Sequence, residues 1–271
     1  MTFQTAAYTG VERLYHYQPY DEERFLQLVE CRKIYFSSPK HFNDPWDCKP
    51  FYNPDALDDP ATYDRYVERF DAIGRKSASI LTEEQRQAFR NKMRTDRPFF
   101  EKMMREYAGE LGEQVETDYG VYCLTPHPLS ILMWSHYANK HSGICIGFGT
   151  DNDDFCSAFK IEYHEAFPNY DLFPDDQKEE VAPYIGKAKA WCYEEEYRLI
   201  GIEGDHGVAS VLRTQNRRRR LPDNALKSII IGCLTSPNDE GAIRAAVARH
   251  APDVSVQKAI HDPCRYKLDL K

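Results

Sequence analysis

Long apolar runs are missing from this 271-residue chain. Nothing in it approaches the roughly 18 consecutive apolar residues of a membrane helix, and residues 1–10 lack the basic start and apolar stretch of a secretory signal. A cytoplasmic protein with no membrane partner is expected. Paired cysteines are missing too: the eight are scattered, with no C-x2-C and no grouping with histidine at zinc spacings. They read as reduced core thiols, and no metal site is expected from them. Excess positive charge is absent, since 35 Lys plus Arg against 43 Asp plus Glu give a net charge of −8, so any grip on nucleic acid or another polyanion has to be local. Phosphate-cradling glycine motifs are absent as well. There is no P-loop, and Gly147-x-Gly149 runs on into Thr150-Asp151-Asn152 without completing a dinucleotide fingerprint.

What is present is a composition that buries a substantial core, 42% hydrophobic and 13% aromatic. Leu14-Tyr15-His16-Tyr17 and Lys33-Ile34-Tyr35-Phe36 read as short strands either side of an amphipathic helix at 21–29. Further on, Tyr63, Tyr66, Val67, Phe70 and Ile73 recur at helical spacing, Thr82-Glu83-Glu84-Gln85 has the form of a capping box, and Phe100, Met103, Met104 and Tyr107 stripe another helix. Strand patterns return at Val121-Tyr122-Cys123-Leu124, Ile144-Cys145-Ile146-Gly147-Phe148, 159–163 and Ser228-Ile229-Ile230-Ile231-Gly232. The segments 196–202 and 208–212 look like a hairpin. Ser130 and Ser236-Pro237 each open a helix, and strands at 254–260 and 265–270 close the chain. Strands outnumber the alternating helices that a doubly wound sheet requires. The expected fold is α+β, a single domain over 1–271 with a mixed, largely antiparallel sheet and a helical insertion at 54–116.

Three clusters mix strand-like apolar residues with polar groups that a core admits only with partners. The first joins Leu14-Tyr15-His16-Tyr17 to residues 35–47. The second is Met133-Trp134-Ser135-His136-Tyr137-Ala138, where helical spacing puts Met133 with Tyr137 on one face and Trp134 with Ala138 on the next. The third is Trp191-Cys192-Tyr193-Glu194-Glu195-Glu196-Tyr197-Arg198, which as a strand would place Glu194, Glu196 and Arg198 on one face. Carboxylates beside a guanidinium suit a catalytic site and suit an ordinary ion-pair ladder equally.

Taken in order, Leu14-Tyr15-x-Tyr17, Tyr35-Phe36-Ser37-x-Pro39, Phe42-Asn43-Asp44-Pro45-Trp46-Asp47, Met133-Trp134-Ser135-His136-Tyr137-Ala138, His141-x-Gly143-Ile144-Cys145 and Trp191-x-Tyr193-Glu194-x-Glu196-Tyr197-Arg198 resemble the bacterial domain-of-unknown-function family 2971. That family carries no activity in its name. The motif order is also similar to that of ADP-ribosyltransferase-like folds, with an early strand bearing His or Arg, a middle strand with Ser, Thr or Tyr, and a late strand bearing Glu. This second resemblance implies a split sheet and NAD as co-substrate. It makes His16, Tyr17, Ser37, Tyr137 and Glu196 the nearest equivalents, leaves Glu194 as a rival catalytic carboxylate, and implies an acceptor that the sequence does not name. Cleaving the nicotinamide–ribose bond builds positive charge on the ribose, which Glu196 would stabilise. Tyr17 and Trp134 would wall the nicotinamide, Arg198 or His16 would contact ribose or phosphate oxygens, and Ser37 and His136 would join them as cofactor-binding residues. Tyr17, Trp134, Tyr137 and Glu196 are therefore expected around one concave pocket.

Two other classes compete with this reading: a non-catalytic binding or regulatory module in bacterial defence or a toxin system, and a metal-dependent phosphodiesterase or nuclease using Asp44, Asp47, Glu194 and Glu196 with Mg²⁺. The 43–47 turn reads more simply as scaffold, with Asn43 and Asp44 bonding the backbone and Phe42 and Trp46 anchoring the loop. Arg217-Arg218-Arg219-Arg220 reads as a solvated loop, with a local nucleic-acid contact as its functional alternative.

Overall fold

A computed structural model describes residues 3–49, 53–77, 82–168, 170–173, 177–204 and 211–271. A single helical turn, α1 (Ala6–Thr9), ends at Gly10 with φ 69°. It precedes β1 (Arg13–Gln18), α2 (Glu22–Val29) and β2 (Lys33–Tyr35). Asp21 starts α2 by accepting from the Arg24 amide, as its position before an amphipathic run implies. Three helices follow: α3 (Pro60–Ser77), α4 (Glu83–Thr95) and α5 (Arg97–Asp118). Thr82 and Gln85 form the reciprocal capping box at the start of α4.

α5 leads directly into β3 (Tyr119–Leu124), and Ser130 caps α6 (Ile131–Tyr137). Then come β4 (Ile144–Gly149), β5 (Phe159–Lys160), β6 (Glu162–His164), β7 (Gly186–Ala188), β8 (Tyr197–Glu203), β9 (Leu212–Thr214) and β10 (Arg218–Arg220). The chain closes through β11 (Leu226–Ile231), α7 (Pro237–His250), β12 (Ser255–His261) and β13 (Leu268–Leu270).

These strands form a mixed, largely antiparallel α+β arrangement. The main sheet has the order β1-β4-β11-β12-β13 and is antiparallel except for β11 with β12, which α7 connects. β4 is buried at every residue, as its continuous apolar run requires. A second sheet runs β3-β8-β5, with β9 beside β8. β2 and β10 form a separate ribbon. Among the described residues the two sheets meet through one bridge, where Tyr15 and Thr125 exchange backbone hydrogen bonds of 2.8 and 2.9 Å. Helices α3–α5 carry their own apolar cluster of Tyr66, Val67, Met93, Phe100 and Met104, completed by Leu172 and Phe173 from far along the chain.

Several local expectations are corrected. β8 and β9 pair parallel, so the segments flanking residues 205–210 are not a hairpin; residues 208–210 of the expected second strand lie outside the described residues. The strand expected over 159–163 is broken into β5 and β6, which pair with different partners. The arginine run is not a loop: Arg218, Arg219 and Arg220 are β10, and Arg217 donates to the carbonyls of Glu116, Thr117 and Tyr119. Trp46 does not anchor its loop, being 66% exposed, whereas Phe42 packs on the second sheet's core. All eight cysteines are free, yet only Cys48 and Cys145 are buried, and Cys31, Cys192 and Cys264 are exposed.

Gly143, in the turn between α6 and β4, fits only because it lacks a Cβ. A Cβ there would lie 2.3 Å from the Gln18 carbonyl oxygen and 2.9 Å from that of Ala138, both backbone atoms. Gly143→Ala should therefore lower stability by about 1–3 kcal/mol, read as a reduced denaturant midpoint at unchanged slope. An unaltered midpoint would show that this junction can spread.

Candidate active-site cleft

Beyond the Tyr15–Thr125 bridge the sheets do not pair, and a cleft of about 660 Å³ is lined there by β1 (15–18) and β3 (121–124). α6 contributes Met133, His136 and Tyr137, residues 41–43 and Asp47 close one side, and Lys187, Glu194 and Glu196 also reach the lining. The helical faces read from the sequence are the faces observed. Trp134 and Ala138 are wholly buried beneath α6 while Met133 and Tyr137 meet the cleft.

Arg198 organises the innermost charges. Fully buried, it grips Asp47 through both terminal nitrogens at 2.8 and 2.7 Å, and Glu196 through Nε and Nη2 at 2.7 and 3.0 Å. A further Nη1 bond goes to the Tyr184 carbonyl at 2.8 Å, so every direction of the guanidinium fork has an acceptor. Lys187, also buried, donates to Glu194 at 2.5 Å and Glu196 at 2.8 Å, and lies 3.8 Å from Asp47. The Tyr137 hydroxyl donates to the other oxygen of Glu194 at 2.6 Å, and Asn43 lies near the same hydroxyl.

Local backbone geometry makes this convergence possible. Lys189–Glu194 is a 3₁₀ helix, and Glu195 turns out of it with φ 43°, a left-handed conformation uncommon outside glycine. The turn, rather than strand alternation, brings Glu194 and Glu196 onto one ammonium. The expected extended ladder is corrected accordingly: β8 begins only at Tyr197. The Glu195 side chain points elsewhere, to His127 at 3.1 Å.

Three carboxylates thus face two cations. Burial pushes the pKa of Glu196 up, but Arg198 and Lys187 outweigh it and hold that carboxyl down at about 2. Glu194 moves the opposite way, raised by burial and then by the neighbouring Glu196 charge, against the pull of Lys187 and Tyr137. Burial also raises the Tyr137 hydroxyl. Two carboxylates pushed apart in this way are the usual physical basis for dividing acid and base roles.

His16 stacks on Tyr122 with centroids 4.1 Å apart, and its Nδ1 lies 2.7 Å from the Cys123 carbonyl. A carbonyl only accepts, so Nδ1 carries the proton and Nε2 is left as an acceptor. Burial holds its pKa down at about 4.

Of the residues read from the sequence, the cleft brings together His16, Tyr17, Ser37, His136, Tyr137, Glu194 and Glu196. Trp134 and Arg198 are corrected. Trp134 has no exposed surface and spends its indole N–H on the Pro128 carbonyl, so it supports α6 and walls nothing. Arg198 has no surface for a phosphate. Three of the four residues expected around one pocket share it, with Trp134 behind them. The scaffold role of the 43–47 turn holds for Asp44, which accepts from the Trp46 amide at 2.9 Å, but among the described residues Asn43 makes no such bond to backbone, and the Asp47 carboxylate belongs to Arg198. Sequence reasoning missed Lys187 altogether, because a lone lysine in a three-residue strand carries no pattern.

The carboxylates named for a metal are committed to protein cations or backbone, and among the described residues no group of His, Cys, Asp and Glu is placed to hold a metal ion. Among the described residues no helix is long and apolar enough to cross a membrane.

Residues 133–170, which run from within α6 through β4, β5 and β6, match the family model described as a protein of unknown function, DUF2971. The match supports the resemblance read from the ordered motifs. Searches of curated proteins and of solved structures found no match, so the similarity to ADP-ribosyltransferases gains nothing from them.

Two outcomes follow. Arg198→Met leaves Asp47 and Glu196 buried without their main partner and should cost about 3–5 kcal/mol in chemical denaturation. A loss well under that range would mean water enters the cluster. His16 has a folded pKa of about 4 against an ordinary 6.5. The stability it contributes is therefore complete above pH 6.5 and drains as pH falls toward 4. Denaturation midpoints measured across that window should decline less in His16→Gln than in the parent protein.

Proposed function

We propose that the cleft is the active site of an NAD-consuming enzyme that cleaves the nicotinamide–ribose bond and passes the ADP-ribosyl group to an acceptor. One observation carries the reading: Glu194, a carboxylate with a raised pKa, is held by Tyr137 and Lys187 on the lining of a cleft between two splayed sheets. A cleft of about 660 Å³ falls within the roughly 300–1,000 Å³ common for small-molecule sites.

In this mechanism the C–N bond breaks and its electron pair leaves with nicotinamide. Positive charge then develops on the ribose ring, and the Glu194 carboxylate stabilises it. The acceptor's O–H attacks the anomeric carbon and its proton passes to Glu194, whose raised pKa makes it a better base than an ordinary glutamate. Tyr137 and Lys187 hold the carboxylate in place. Glu196 acts at one remove by holding Lys187, since Arg198 and Lys187 already occupy both its oxygens. Tyr17 and His136 form part of the wall, and the free Nε2 of His16 accepts from a sugar hydroxyl.

Nicotinamide released from NAD, followed by proton NMR with water or a supplied acceptor, tests the reading. Glu194→Gln should retain the parental melting temperature and lower turnover by roughly 10²- to 10³-fold. Because the base must be ionised, the parent's rate should fall at acid pH, starting above the pKa of an ordinary glutamate. Absence of nicotinamide release from the parent protein, with NAD still bound, would make the chain a binding module instead.

A further inference from the structure

The exposed charge at the entrance of the cleft differs in sign from the molecule as a whole. The exposed cations of the lining are Arg24, Lys33 and Arg218, against one exposed carboxylate, Glu23, in a chain of net charge −8. The β2–β10 ribbon sets this pattern: its register places Arg218 opposite Tyr35 and Arg220 opposite Lys33. Ile34 turns inward between them, and Arg219 is engaged by Asp154 with two bonds of 2.6 Å. The outer face of the ribbon therefore presents Lys33, Tyr35, Arg218 and Arg220, all exposed.

Like charges directly opposite each other on a ribbon repel. Among the described residues, Arg24, Lys33, Arg218 and Arg220 have no carboxylate partner to offset that cost. The guanidinium groups of Arg24 and Arg218 instead lie 5.8 and 5.7 Å from the centre of the Tyr35 ring, which fixes two forked donors at the cleft entrance without using up their hydrogen bonds.

We infer that this face is a phosphate-binding subsite for the diphosphate of the nucleotide whose sugar end reaches Tyr137 and Glu194, an assignment that rests on the function proposed above. Arg24 and Arg218 provide paired N–H donors to phosphate oxygens, and Lys33 provides a point charge. A small nucleotide fits better than a nucleic-acid strand because three of the four cations line the cleft itself and only Arg220 lies outside its lining.

Calorimetric titration of the full chain with inorganic pyrophosphate, ADP-ribose, nicotinamide riboside and a single-stranded oligonucleotide tests the assignment. Pyrophosphate and ADP-ribose should bind, and Arg24→Gln and Arg218→Gln should each weaken them by roughly 10- to 100-fold. Nicotinamide riboside, which lacks a diphosphate, should be indifferent to both substitutions, and Arg249→Gln on the exposed surface of α7 should change nothing. ADP-ribose affinity unaltered in Arg24→Gln and Arg218→Gln would overturn the subsite. So would failure of pyrophosphate and ADP-ribose to bind, and oligonucleotide binding in that event would give the face to nucleic acid. Arginine-dependent ADP-ribose binding without any nicotinamide release would uphold the subsite while removing the catalytic reading.

Discussion

Burial of Arg198 is the constraint on which the site depends. A guanidinium taken wholly out of water is tolerated only when its donors are matched, and here the matching groups come from three separate stretches: Asp47 from an early loop, the Tyr184 carbonyl, and Glu196 beside β8. The same contacts that neutralise Arg198 tie the loop carrying Asn43 to the strand that follows Glu194. Lys187 completes the set, but two cations cannot fully compensate three carboxylates. The deficit falls on Glu194, which has Lys187 and a phenol where Glu196 has Lys187 and the guanidinium. The perturbed carboxylate is thus a consequence of how the interior balances its charge.

The shape of the cleft follows from a second constraint, the short bridge at Tyr15 and Thr125 between the sheets. Had β1 and β3 paired along their length, their edges would be closed and His16 would have no cavity to face. Because pairing stops, the imidazole takes up a backbone carbonyl that a ladder would otherwise have used, and Tyr122 covers its ring. α6 is held against this opening by Trp134, which packs edge-on against Tyr17 with ring centroids 5.2 Å apart. An aromatic that sequence chemistry suggests for a ligand wall instead fixes the helix whose next turn presents Tyr137 to the cleft.

Hydrophobic periodicity and helix caps are legible in the linear sequence. The burial of β4, the start of α4 at its capping box, the division of α6 into a buried and a cleft-facing side, and the α+β class all rest on interactions spanning a few residues, which a linear pattern records. Most of the cleft lining is legible as well, because mixed apolar and polar motifs signal groups that need partners. Lys187 leaves no such trace, and the parallel pairing of β8 with β9 contradicts the hairpin that short separation suggests.

By itself the sequence determined which strands and helix faces were apolar, where several helices begin, and which segments mixed apolar residues with polar groups that needed partners, among them His16, Tyr137, Glu194 and Glu196. Only the tertiary structure decided what each became. It placed Arg198 and Trp134 behind the cleft, joined Asp47 to a guanidinium 151 positions away, and moved two of four consecutive arginines onto internal partners while leaving the others at the surface. The reason is physical: a side chain's type sets what it can bond, but its role depends on which charges lose water beside it, and these neighbours come from distant parts of the chain.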